Sequence, residues 1–326
     1  MKHHSHKRDS GFTLIELLVV LGIIAILASI IIVAVSSASE TARQARSTDA
    51  LRQMANGYSQ YTSDNDGKLM PGYTLPDDYS NAADMPFQLD AKVNGQQLGQ
   101  EDAAGYVWRL APYLADGYKT VMTDYRDEEV LSYMDSEVQN NIYGPGSMAN
   151  GGIGVSLRPS FGLNSIALGG DSHHGGRATR YHPWGSQYAN ERFAATRMSE
   201  VAQKSRMILF AATHDPTADV PSLPGTKWGY VELRPPGVGE FIPTTAAEGE
   251  IAPNPWEIQQ WWFDENGDIV DAGSGNLQTA GVPTSRGDKA GVPLVRLDGA
   301  TGLEFTPLLA NDAWSWMPFG PSKSRR

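Results

Sequence analysis

The chain has 326 residues, a formal net charge of −11, 34 glycines, 20 prolines and no cysteine. An acidic balance of this size argues against a general nucleic-acid binder, which runs on basic surface. The lack of cysteine excludes disulfide staples, so any globular part must hold by packing alone.

The first long feature is apolar. Nineteen residues from Leu17 to Val35 carry apolar side chains with only Gly22 and Ser29 interrupting. At ~1.5 Å rise per residue such a run spans roughly 28 Å as a helix, about the hydrocarbon thickness of a bilayer. Lys7 and Arg8 precede it and few basic residues follow closely. The positive-inside bias therefore places residues 1–11 in the cytoplasm and the rest of the chain beyond the inner membrane. Glu16 lies in the opening turns of this apolar segment. A carboxylate there costs several kcal/mol unless it is paired, which makes it a candidate functional residue. An ordinary secretory signal would have a shorter apolar core and a small-x-small cut after it. Ala34-Val35-Ser36 and Ser36-Ser37-Ala38 fit such a cut, but that reading leaves Glu16 without a role.

The string Gly11-Phe12-Thr13-Leu14-Ile15-Glu16-Leu17-Leu18-Val19-Val20 resembles the leader junction of type IV pilins and type II secretion pseudopilins. The resemblance implies a prepilin peptidase that cuts between Gly11 and Phe12 and methylates the new Phe12 amine. It also implies that Glu16 pairs with the Phe12 amine of a neighbouring subunit, in a homo-oligomeric filament or one shared with related pilin subunits. A buried acid and a buried amine each cost much alone and far less together, so the pair can set register between packed helices. The leader carries a net +2, which leaves the mature chain near −13.

No proline occurs before Pro71, so a helix entering at Phe12 is free to run on past the membrane. Ala38, Ala42 and Ala45 keep helical spacing, and Ala50, Leu51, Met54, Tyr58 and Tyr61 form a second stripe. Asp49 sits at three-residue spacing from Arg46 and Arg52, and Glu40 from Arg43, on the polar side. One helix of ~50 residues and ~75 Å is expected over residues 12–61, with 12–35 spanning the membrane. Thr62 to Lys68 is expected to end it, with Gly67 in a left-handed turn. Asp64-Asn65-Asp66-Gly67 is similar to part of a calcium loop, yet Thr62 and Tyr73 stand where its first and twelfth ligands belong. A helix end is the preferred reading, no cofactor is expected, and calcium stands as the alternative.

Residues 62–326 are expected to form a globular α+β head on an antiparallel sheet. Residues 72–105 read as long loops, Tyr106–Leu114 and Asp127–Met134 as short helices, and Gly144–Gly154 as a glycine-rich loop. Val155–Leu163, Met207–Ala212 and Gly229–Leu233 read as strands, the last between turns at Pro221–Gly225 and Pro235–Gly239. Ala189–Lys204 reads as a helix carrying Phe193, Met198 and Val201. Glu257–Val270 reads as a hairpin about Asn266-Gly267. A final pair, Pro293–Leu297 and Leu303–Pro307, is joined by Asp298-Gly299. The helix pattern with Asp298-Gly299 resembles a group of pilin-like proteins of planctomycete and verrucomicrobial bacteria, which carry a C-terminal His, nine residues, Asp-Gly. Asp288 stands here where that His belongs.

Chemistry-bearing clusters are few. His3, His4 and His6 lie in the leader; Asp171, His173, His174 and His182 form a loose group among glycines, and His214-Asp215 a single pair. No Gly-x-Ser-x-Gly, His-Glu-x-x-His or phosphate-cradling loop occurs, so no catalysis is expected. Trp256, Trp261, Trp262, Trp314 and Trp316 supply large apolar area, for core packing or for an exposed binding surface. The sequence thus points to a non-enzymatic filament subunit; the alternative is a membrane-anchored or secreted binding protein for carbohydrate or cargo.

Overall fold

The computed structural model describes residues 14–72, 92–93, 96–97, 105–115, 117–122, 159–170, 194–213, 219–220, 223–227, 229, 233, 283, 291–304, 309 and 315–316. The α-helices among the described residues are α1 (Leu14–Asp64) and α2 (Tyr106–Leu110). The strands among the described residues are, in chain order, β1 (Lys92–Val93), β2 (Gln96–Gln97), β3 (Phe161–Leu163), β4 (Ile208–Ala212), β5 (Asp219–Val220), β6 (Leu223–Lys227), β7 (Val292–Arg296) and β8 (Thr301–Glu304), with α2 falling between β2 and β3. The chain divides into two compact units, Met1–Ala45 and Arg46–Arg326, and α1 contributes residues to both.

Within the first unit α1 is helical from Leu14, and the side chains of Leu14–Ile32 are exposed throughout. No proline interrupts this stretch, and its many Leu and Ala residues are good helix formers. Ala38, Ala42 and Ala45 are exposed as well, so this stripe is not part of a core.

The second unit is an α+β body around an antiparallel sheet of order β3-β4-β7-β8. β3 pairs with β4 through Phe161↔Ala212, β4 with β7 through Phe210↔Val295, and β7 with β8 through Val295↔Thr301. β4 is buried along its whole length, which is why Met207-Ile208-Leu209-Phe210-Ala211-Ala212 reads as an unbroken apolar run rather than an alternating one. The β4–β7 ladder ends at Leu294, so Pro293, which has no N–H to offer, falls beyond it. Ala50, Leu51, Met54, Tyr58 and Tyr61 of α1 are all buried in the same core as Tyr106, Leu110, Phe161 and Phe210. The second helical stripe expected from the sequence is therefore the one that packs.

Helix α1 continues to Asp64, three residues past the expected end at Tyr61. Thr62 Oγ1 donates to the Tyr58 carbonyl at 2.9 Å and Ser63 Oγ to the Ser59 carbonyl at 2.9 Å. These hydroxyls bond back into the helix instead of competing with it. The stop comes at Asp66 and Gly67, both at positive φ (54° and 76°), with the Gly67 amide donating to the Thr62 carbonyl at 2.8 Å. That six-to-one bond across a left-handed residue is a Schellman-type end.

Four other expectations change. Residues 194–204 do not form a helix; only Met198–Glu200 makes a 3-10 turn. The backbone around it is committed elsewhere. Ala195 exchanges bonds with Ala167 and Gly169, Thr196 accepts from Leu69, and the Met198 amide donates to Gly67. Tertiary pairing overrides the helical pattern. Residues 72–105 are not wholly loop, since β1 and β2 pair antiparallel through Lys92↔Gln97 and Val93↔Gln96. Of the turn expected over Pro221–Gly225, residues 223–225 belong to β6, which pairs with β5, and 221–222 lie outside the described residues. Of the strand expected over Val155–Leu163, Phe161–Leu163 is β3 and residues 159–160 are not strand, the Ser160 amide donating to the Val121 carbonyl at 2.8 Å; residues 155–158 lie outside the described residues. Asp127–Met134, Gly144–Gly154 and the Asn266-Gly267 hairpin lie outside the described residues, as do 230–232 of the expected Gly229–Leu233 strand.

Candidate functional site

The feature with the clearest functional content is the apolar half of α1. Fifteen large apolar side chains between Leu14 and Val35 are exposed, from 46% at Val20 to 80% at Leu14. They occupy every face of the helix, so no single partner face would cover them. Each Leu, Ile or Val removed from water is worth ~1.5–3 kcal/mol, so the segment forgoes on the order of 20 kcal/mol in water. A whole domain is commonly stable by only ~5–15 kcal/mol. Water is therefore not the medium this segment is made for; lipid or other apolar helices are. By length and composition Leu14–Ile32 suffices to cross a bilayer.

Within that segment the polar atoms are few. Ser29 Oγ donates to the Ile26 carbonyl at 2.7 Å, so the hydroxyl is satisfied inside its own helix. A Cβ placed on Gly22 would have no heavy atom within 4 Å, which leaves an open notch on the helix surface. Glu16 lies in the first turn of α1. Gly11 and Phe12 lie outside the described residues.

The second unit supplies the anchor for the other half of α1. Tyr58 stands edge-on to Phe210, centroids 6.0 Å apart, and its hydroxyl oxygen accepts the Met70 amide at 3.1 Å. Tyr106 lies 5.5 Å from the same Phe210 ring and donates its hydroxyl to the Phe161 carbonyl. Burial pushes the Tyr58 phenol far above its ordinary value, with the Tyr61 charge adding to it and the Met70 bond opposing. Burial likewise pushes Tyr61 up to about 12, against the lowering pull of Arg109. Arg109 is itself buried and donates to the Pro71 carbonyl at 3.0 Å. Gly57 lets the 106–114 segment come close: a Cβ there would meet Leu114, Leu110 and Tyr113 at 3.1–3.2 Å.

The residues at the end of α1 serve the helix terminus. Asn65 Nδ2 donates to the Tyr61 carbonyl at 2.7 Å, and Arg197 Nη1 to the Asp66 carbonyl at 3.0 Å. Tyr113 is raised, first by burial and then by the nearby Asp64 carboxylate. Among the described residues no group of three or more His, Asp or Glu side chains is placed to hold a metal ion. The candidate metal residues Asp171, His173, His174, His182, His214 and Asp215 lie outside them. Of the five tryptophans singled out from the sequence, Trp316 is described. It is buried and donates Nε1–H to the Leu309 carbonyl at 2.9 Å. Trp108, not singled out, is core too.

A family model described as the prokaryotic N-terminal methylation motif matches residues 6–32. No curated protein and no solved structure matches the chain. The matched stretch contains Gly11, Phe12 and Glu16 and nearly all of the candidate span. The protein is type IV pilin-like: it carries the N-terminal segment of a pilin- or pseudopilin-like precursor. The motif implies processing by a prepilin peptidase and assembly of the pilin kind, and with the apolar helix it is consistent with membrane anchoring.

Proposed function

We propose that the protein is a structural, non-catalytic subunit of a type IV pilus or type II secretion pseudopilus. Before assembly it sits in the inner membrane through Phe12–Val35, with residues 1–11 in the cytoplasm and the head beyond. Prepilin peptidase cuts between Gly11 and Phe12 and methylates the Phe12 amine. In the fibre the apolar helices of neighbouring subunits replace lipid, and Glu16 meets the Phe12 amine of a neighbour. The observation that carries this reading is an apolar helix exposed on every side and opened by an acid, inside a matched methylation motif. A helix of that kind is stable in lipid and stable in a bundle of its own copies, and so suits transfer from one to the other.

Mass spectrometry of the N-terminus of protein taken from its native membrane and sheared-surface fractions tests it. The expected result is an N-methylated Phe12 as first residue. A chain retaining Met1, or one starting near residues 37–39 as a secreted binding protein would, overturns the proposal.

A further inference from the structure

We draw no further inference here: the strongest candidate, the outer edge of β8 at Thr301–Glu304 with its exposed Leu303, is a short edge strand, and nothing in the structure shows what covers it.

Discussion

The two halves of α1 obey opposite rules. From Leu14 to Val35 the helix is apolar on every side and its large side chains are exposed. From Arg46 to Asp64 it is two-faced: Leu51, Met54 and Tyr58 are within 1% of full burial, while Arg52, Asn56, Ser59 and Gln60 face solvent. A helix with one apolar stripe is finished when it meets one core. A helix without a polar side must find an apolar surrounding, and among the described residues none of Leu14–Ile32 is buried. On the proposed function the first half serves assembly or anchoring, while the second half packs into the core of the head.

The largest expected effect tests that division at its most costly point. Glu16→Ala removes the acid without touching the head core. Fibre formation should be lost altogether, while cleavage after Gly11 and the urea midpoint of the head stay unchanged. Normal fibre yield from that variant, read by shearing and electron microscopy, would remove Glu16 from the assembly step.

Next come the core residues of the second half. Tyr58→Ala deletes a fully buried ring that touches Phe210, and such truncations cost ~3–5 kcal/mol. Ile24→Ala in the first half should leave head stability within about 0.5 kcal/mol. Urea unfolding of the detergent-solubilised full chain, followed by tryptophan fluorescence, measures both. Equal losses from the two substitutions would erase the distinction between the halves. Gly169→Ala should cost ~3 kcal/mol or more. Its φ of 82° is left-handed, and a Cβ there would sit 2.1 Å from the Met70 carbonyl oxygen, so backbone must move. An unchanged midpoint for this variant would mean that the 164–170 turn does not press on Met70 as drawn.

The sequence spoke most clearly where one physical demand dominates. The apolar run, the stripe Leu51-Met54-Tyr58 and the buried strand Ile208–Ala212 were all legible, because burial or lipid exposure alone selects their residues. The hairpin about Asp298-Gly299 was legible from turn chemistry: Gly299 has φ 89°, and the Asp298 side chain accepts the Ala300 amide at 3.0 Å. The segment 194–204 was not. Its apolar spacing suits a helix, but its amides and carbonyls are claimed by Ala167, Gly169, Leu69 and Gly67, partners far away in the chain. Local pattern carries no record of such pairing. The importance of Arg109 was also hidden, since an arginine beside a tryptophan reads as surface until Pro71 and Tyr61 are brought to it.

The smallest effect is a pH dependence confined to the head. Tyr61 has its folded-state value raised to about 12, against an ordinary phenol near 10, mainly because burial disfavours the charged form. Below pH ~10 both folded and unfolded chains hold this proton, and its contribution to stability is complete. Between pH ~10 and ~12 the unfolded chain releases the proton while the folded chain keeps it, so stability falls as pH rises. One such group contributes a slope of about 1.4 kcal/mol per pH unit across that window. Tyr61→Phe should therefore flatten the alkaline limb of the stability curve by about one proton's worth, leaving the curve below pH 9 parallel to that of the parent. Tyr58 is raised further by burial, so its own loss begins near the same ordinary phenol value and continues above pH ~12, in parent and variant alike. If parent and variant lose stability in parallel from pH 9 to 12, Tyr61 ionises in the folded chain as readily as in the unfolded one. The close packing of the second half of α1 against the head would then be wrong at its C-terminal turn.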